Sequence, residues 1–285
     1  MRESSNAYAK INISLDIVSK MDNGYHNLKT VMQTVSLCDF IEIECKKGEG
    51  IFVNSGLPYI PSDERNIATK AALAFFDFTG ISGYNTQITI TKRIPVCAGL
   101  GGGSADGACV IRLLDKVFNT ELKRESMEQI GGSIGSDVPF SINGGTKLAE
   151  GRGEILTDLP LIKLCYIVIC KPPFSCSTPE LFSLVKCDKI RARPDTDGII
   201  KALNYGDLGG IARRMYNVFE DILPRGRQEI TEIKSALLDN GALGAVMTGS
   251  GPSVFGMFDD NNKALGAYNQ LKEDYEECFL TETVS

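Results

Sequence analysis

The chain is 285 residues long and 43% hydrophobic, enough for a substantial core and two lobes. Its formal net charge of −6 argues against nucleic acid or an anionic membrane as the main partner, and its longest apolar run, Leu164 to Cys170, is too short to span a bilayer. Nine scattered cysteines form no Cys-x-x-Cys pair, the pattern of reduced core thiols, and Met1 to Lys10 has no apolar stretch of signal-peptide length, so a cytoplasmic protein is expected.

Asn6 to Val18 alternates apolar and polar residues and predicts a strand. Ala9, Ile11, Ile13 and Leu15 face a core, while Lys10 and Asn12 sit side by side on the other face, either solvated or part of a polar site. A turn follows at Asn23-Gly24 and carries Tyr25 beside His26, the single histidine of the chain. A lone loop histidine is often just exposed, but a tyrosine plane next to a hydrogen-bonding ring also suits a flat heterocycle. Leu28 to Cys45 mixes short apolar segments and reads as strands of the same sheet. Ser62 or Asp63 is placed to cap a helix running to Thr79, with Ile67, Ala71, Ala74, Phe75 and Phe78 as its buried face, and Gly80 to Gly83 ends it.

Asn85 to Thr91 is β-branched and alternating, a strand. It leads into Pro95-Val96-Cys97-Ala98-Gly99-Leu100-Gly101-Gly102-Gly103-Ser104-Ala105 and then a helix, with Ser104 as expected N-cap and Val110, Leu113, Leu114 and Val117 as its apolar stripe. Bare N–H groups at a helix start, together with the helix dipole, attract phosphate oxygens. The competing reading is a structural glycine turn. The loop is neither a Walker A sequence nor a clean G-x-G-x-x-G.

A helix over Lys123 to Ile134 leads to Gly135-Ser136-Asp137-Val138-Pro139-Phe140, where Asp137 occupies a constrained turn as a helix cap or as a functional carboxylate. Glycine pairs at 144–145 and at 151 and 153 punctuate further strands, and a boundary near Leu156 to Ile162 divides the chain into lobes 1–158 and 159–285. Leu164 to Cys170 is a strand, and Ser177-Thr178-Pro179-Glu180 opens a short helix containing Phe182. Lys186 to Asp197 reads as a surface loop. Helices are predicted over Thr196 to Lys201, Leu208 to Ile222 and Arg225 to Leu238. Strands over Gly244 to Thr248 and Ser253 to Phe258 flank Gly249-Ser250-Gly251-Pro252, and a helix from Asn262 to Tyr275 and a strand from Glu277 to Thr283 complete a ferredoxin-like pattern.

The N-terminal strand with its lysine, the Pro95 to Ala105 loop and the Thr248-Gly249-Ser250-Gly251-Pro252-Ser253-Val254-Phe255 segment together resemble the GHMP kinases. Ala9-Lys10-Ile11-Asn12, Gly24-Tyr25-His26, Asn66-Ile67, Gly135 to Phe140 and Gly151-Arg152-Gly153-Glu154 extend the resemblance over nearly the whole length, most weakly between Lys186 and Ile222. It implies an α+β, two-lobed GHMP kinase fold, the N-terminal lobe like domain 2 of ribosomal protein S5 and the C-terminal lobe ferredoxin-like. It also implies ATP-dependent phosphorylation of the 2-hydroxyl on the methylerythritol part of a cytidine diphosphate ester.

On that resemblance Asp137 is the catalytic carboxylate and Lys10 its cationic partner. The Pro95 to Ala105 loop (Pro95, Val96, Cys97, Ala98, Gly99, Leu100, Gly101, Gly102, Gly103, Ser104, Ala105) holds the ATP phosphates, and Asn66 and Lys92 flank the adenine. Tyr25 and Phe182 sandwich the cytosine with His26 on its edge, and Asn12, Thr178, Gly249 and Ser250 contact the acceptor. Mg²⁺ is expected with ATP although no acidic cluster names its ligands, and the chain is expected to be a monomer or weak homodimer. Gly107, where the family often has alanine, is expected to loosen the first turn of the phosphate helix by up to ~1 kcal/mol.

Overall fold

The alternation at the N-terminus continues further in both directions than its apolar centre requires. In the computed structural model, which describes residues 1–224 and 226–284, β1 covers Arg2–Lys20 and β2 is one strand over His26–Lys47 rather than several short ones. Then come β3 (Ile51–Asn54), α1 (Ile67–Thr79), β4 (Tyr84–Thr91), α2 (Gly102–Phe118), α3 (Arg124–Ile134), α4 (Val138–Asn143), β5 (Thr146–Gly151) and β6 (Ile155–Asp158). The remainder runs β7 (Tyr166–Lys171), α5 (Thr178–Leu184), α6 (Thr196–Tyr205), α7 (Leu208–Ala212), β8 (Tyr216–Asn217), α8 (Phe219–Ile222), α9 (Arg227–Asp239), β9 (Gly244–Met247), β10 (Val254–Phe258), α10 (Asn261–Asp274) and β11 (Glu277–Glu282).

Two compact units emerge, both discontinuous in sequence. Unit 1 is Met1–Ala9, Cys38–Val96 and Gly101–Asn143; unit 2 is Lys10–Leu37, Cys97–Leu100 and Gly144–Ser285. The expected lobe boundary at residue 158 falls inside unit 2, because β5 and β6 are tied to Leu28–Gln33 of β2 through antiparallel pairing.

In unit 1, Phe40 to Lys47 of β2 pair antiparallel with β4, and β3 lies parallel on β4's other side. Helix α1 packs on α2 through Ala68, Ala71, Ala72 and Phe75, all buried. Of the expected face, Ala71 and Phe75 are buried and Ile67 stands against Gly107 of α2, whereas Phe78 at the helix end is 44% exposed. The cap also differs. Asn66 accepts from the Ala68 N–H, while Asp63 instead binds Arg65. Gly107 has a packing reason: a Cβ there would stand 2.7 Å from Ile67 Cγ2, so alanine's better helix propensity would be set against a clash with α1.

In unit 2, the four strands β11-β7-β10-β9 form an antiparallel sheet. Numbered among themselves they run 4-1-3-2, the order of the expected ferredoxin-like pattern. Val168, Cys170, Met247, Val254 and Phe258 of this sheet pack with Ile233 and Leu237 of α9 and Ala267 and Leu271 of α10. The single helix expected over Leu208 to Ile222 is broken into α7, β8 and α8. Tyr216 and Asn217 leave helical geometry to pair in parallel with Ser14 and Leu15 of β1, and Asn217 then accepts from the Phe219 N–H that starts α8. The expected helix start at Arg225 lies outside the described residues; α9 is observed from Arg227.

Candidate functional site

In unit 1 the site begins with the junction between β4 and the glycine loop. Asp39, fully buried in β2, accepts from the N–H groups of Arg93 at 2.6 Å and Ile94 at 2.9 Å through one oxygen. Its other oxygen accepts from Lys92 Nζ at 2.5 Å, and Lys92 also donates to Asp106 Oδ2 of α2 at 2.8 Å. One ammonium therefore bridges strand, loop and helix. Burial alone would lower the Lys92 ammonium, but Asp106 and Asp39 overcome it and hold it above its ordinary range. Burial pushes the Asp106 carboxyl up to about 7, with Lys92 opposing the shift and Asp39 adding to it. Asp106 Oδ1 is buried without a hydrogen-bond partner among the described residues, which fits a carboxyl that resists ionisation.

Helix α2 opens two residues before the expected Ser104 cap. Gly101, in the left-handed region at φ 69°, is the N-cap, and no side chain caps the helix. The Gly101 carbonyl accepts from Ala105 N–H, while the N–H groups of the first turn belong to glycines and Ser104. An uncapped 17-residue helix with a bare first turn is the anion-binding geometry that the loop sequence points to. Asn66, expected beside the adenine, spends its side chain on capping α1 and on donating to the Pro61 carbonyl at 2.8 Å. Asp137 stands directly before α4, with its main-chain carbonyl taking the Ser141 N–H and hydroxyl, each at 3.1 Å.

In unit 2, residues Cys97–Leu100 of the loop meet the 248–251 turn. A Cβ on Gly99, at φ +76°, would lie 2.1 Å from the Thr248 carbonyl oxygen, and one on Gly249 would lie 2.8 Å from the Gly99 oxygen. Only glycine permits these two backbones to touch. Asn217 fixes the turn from below, its Nδ2 donating to the carbonyls of Met247 and Gly249, both at 2.8 Å. Asn217 carries no signal of this role in the sequence, because the pattern over Leu208 to Ile222 is helical. Asp39 and Asp106 were missed as well, although a lone aspartate inside an apolar strand was a visible signal for the first.

Lys10 and Asn12 are buried, so the solvated-face reading of β1 is wrong: both faces of the strand are covered. Lys10 N–H donates to the Leu100 carbonyl at 3.0 Å, and its ammonium donates to Asn12 Oδ1 at 2.7 Å. Asn12 in turn donates Nδ2 to Thr30 Oγ1 at 2.8 Å and its N–H to Thr248 Oγ1 at 3.0 Å. The lysine head is thus held on a fixed amide, and β1 is fastened to both glycine segments of unit 2.

His26 is buried at the start of β2 and stacks on Phe182 of α5, centroids 5.2 Å apart and planes 25° from parallel. Phe182 meets Phe219 edge-on at 5.0 Å. Burial first and Lys20 second lower the His26 pKa from 6.5, so the ring is neutral at pH 7, with Nε2 lacking a partner among the described residues. Tyr25, 57% exposed, lies under the Arg152 guanidinium at 5.3 Å. The structure therefore joins His26 to Phe182 and Tyr25 to Arg152. Thr178 and Ser250 share a 2.6 Å hydroxyl–hydroxyl hydrogen bond. Among the described residues no three His, Cys, Asp or Glu side chains gather where they could hold a metal ion, and no helix is long and apolar enough to cross a membrane.

Residues 66–145 match the GHMP kinases N terminal domain, and residues 199–277 match the GHMP kinases C terminal domain. A protein of Clostridium botulinum (strain Kyoto / Type A2) named 4-diphosphocytidyl-2-C-methyl-D-erythritol kinase is 44% identical over 280 residues, 98% of this chain and 99% of its own length. A protein of the same name from Clostridium beijerinckii is 45% identical over 278 residues, covering 98% and 99%. A crystal structure of 4-(cytidine 5'-diphospho)-2C-methyl-D-erythritol kinase superposes with a TM-score of 0.84 at 27% identity, covering 99% of this chain and 100% of that one.

Proposed function

The chain belongs to the GHMP kinases, and within them to the 4-diphosphocytidyl-2-C-methyl-D-erythritol kinases, and from that premise we propose how its residues divide the work. The protein is an ATP-dependent kinase of the non-mevalonate route to isoprenoid precursors. The phosphoryl group goes to the 2-hydroxyl of the methylerythritol unit. The uncapped first turn of α2 is the single observation that carries this reading: a nucleotide's phosphates supply the acceptors which no side chain provides there.

Phosphoryl transfer needs alignment and charge neutralisation more than a strong nucleophile. Asp137 takes the proton of the acceptor hydroxyl as its oxygen bonds to phosphorus. Lys10, steadied by Asn12, offsets charge on the transferring group. His26, neutral and beside Phe182, reads the edge of the cytosine, and Tyr25 and Phe182 cover its two faces. Thr178, Ser250, Gly249 and Asn12 line the acceptor's polar side. Asn66 and Lys92 act by holding the walls of the adenine site, through the α1 cap and the Asp39–Lys92–Asp106 bridge. Mg²⁺ would enter with ATP and offset the charge of its phosphates. Lobes 1–158 and 159–285 contain one GHMP match each, and the enzyme works in the cytoplasm as a monomer or weak homodimer.

The test is ADP release, coupled to a reporter, with four acceptors offered in turn: the cytidine diphosphate ester, homoserine, mevalonate and galactose. Turnover with the cytidine ester alone is expected; faster turnover with any other would reassign the substrate.

A further inference from the structure

The Gly151-Arg152-Gly153-Glu154 motif has no part in the division of work above. It makes the turn between β5 and β6, closed by the Gly153 N–H on the Glu150 carbonyl at 3.0 Å. Gly151 is paired with Leu28, so the turn lies beside the start of β2 at His26.

Glu154 folds back over this turn and fixes Arg152. Its Oε2 accepts from the Arg152 N–H at 2.6 Å, and its Oε1 accepts from Arg152 Nε at 3.4 Å. Held at Nε, the guanidinium stands 5.3 Å from the centre of the Tyr25 ring. A guanidinium is planar and is attracted to the electron-rich face of an aromatic ring.

The main chain of Tyr25 is fixed without this contact. Its N–H donates to Asn23 Oδ1 at 3.1 Å, and its carbonyl accepts from the Met21 N–H at 2.7 Å. The Gly24 N–H closes the same turn on the Met21 carbonyl at 3.0 Å. The side chain is 57% exposed, and among the described residues its hydroxyl has no hydrogen-bond partner and its ring stacks on no other ring. Arg152 is therefore what stands against the ring. A tyrosine has two faces, and a guanidinium on one leaves the other for a flat partner.

We propose that Arg152 is a positioning residue for base recognition: seated on one face of Tyr25, it holds the ring so that the opposite face receives the cytosine. The proposal rests on the assignment of Tyr25 to the cytosine above. Arg152 then contributes to affinity for the cytidine ester without touching it, because a ring already held in place loses less freedom when the base arrives.

The full-length protein is titrated by calorimetry with the cytidine diphosphate ester, without ATP. Arg152→Met keeps the stem and removes the charge; it should weaken ester binding about two- to fivefold and raise KM for the ester in step. Its kcat, KM for ATP and Tm should stay at the wild-type values, which a collapsed turn would not allow. Arg152→Lys should recover part of the lost affinity, since an ammonium is drawn to the ring but cannot lie flat on it. In a Tyr25→Ala background, Arg152→Met should cause no further loss.

Unchanged ester binding in Arg152→Met overturns the proposal. Tighter binding overturns it too, by showing that the guanidinium occupies the place of the base. A loss that persists undiminished without Tyr25 does the same, by showing that Arg152 grips the ester itself. Failure of the wild-type protein to bind the ester overturns the substrate assignment and this proposal together, so the two failures are told apart.

Discussion

His26 lies nearly flat on Phe182, ring centroids 5.2 Å apart, with Phe219 closing the far side of Phe182 edge-on. A neutral imidazole pinned this way is a fixed hydrogen-bonding edge. Because the chain has one histidine, its ring protons give an isolated NMR titration. The midpoint should fall below the ordinary 6.5, since burial and then Lys20 both disfavour the charged ring. For a lowered folded pKa the stability contribution is present above 6.5 and fades as pH falls through the depressed value. Phe182→Ala opens the ring to water and should return the midpoint toward 6.5. A wild-type midpoint at or above 6.5 contradicts the assignment.

Tyr25→Ala and Phe182→Ala should each raise KM for the cytidine ester by about five- to 150-fold more than KM for ATP, as loss of base stacking worth ~1–3 kcal/mol predicts. Equal effects on the two substrates would remove both rings from base recognition.

Asp137→Asn should lower kcat by about 10²–10⁴ while leaving nucleotide binding, followed by the ATP-induced rise in Tm, unchanged. Near-normal turnover in this variant would eliminate the carboxylate as base.

The Asp39–Lys92–Asp106 bridge makes a pH prediction. The Asp106 pKa is raised from 3.8 to about 7, so its stabilising contribution is complete below 3.8 and is lost as pH rises through about 7. Tm should decline over that range in the wild type, and less steeply in Asp106→Asn, which cannot ionise. Matching slopes would show that Asp106 is ionised throughout. Lys92→Met strands the buried Asp39 carboxylate and should cost ~3–5 kcal/mol in urea unfolding near neutral pH.

Gly99 and Gly103 differ in what an added methyl would meet. Gly99→Ala drives a Cβ to 2.1 Å from the Thr248 oxygen at φ +76° and should destabilise the fold by about 2 kcal/mol or more. At Gly103 the nearest atom is Ile67 Cδ1 at 3.4 Å, an ordinary contact. Gly103→Ala should therefore leave stability within about 1 kcal/mol and, on the proposed phosphate role of this helix start, raise KM for ATP. Urea unfolding beside ATP titration distinguishes the two effects.

Local patterns were enough for β1, β4, β7, β9, β10 and β11, the glycine loop and the ferredoxin-like order of the C-terminal sheet, because alternation, glycine runs and cap residues act over a few neighbours. The same patterns exposed Lys10, Asn12, Tyr25, His26 and Asp137 as unusual. They did not reach what depends on partners distant in sequence. Lys10 and Asn12 are buried, and Asn12 meets Thr30 and Thr248, 18 and 236 positions away in sequence. The 208–222 segment gives up its helix because Tyr216 and Asn217 gain pairing with β1 and the 247–249 carbonyls. Asp39 becomes the loop's anchor only once β2 brings it beside residues 92–94, 53 to 55 positions away. Sequence by itself determined which residues are proposed to carry the chemistry; tertiary structure decided which groups they meet, because burial and hydrogen bonding are properties of neighbours in space.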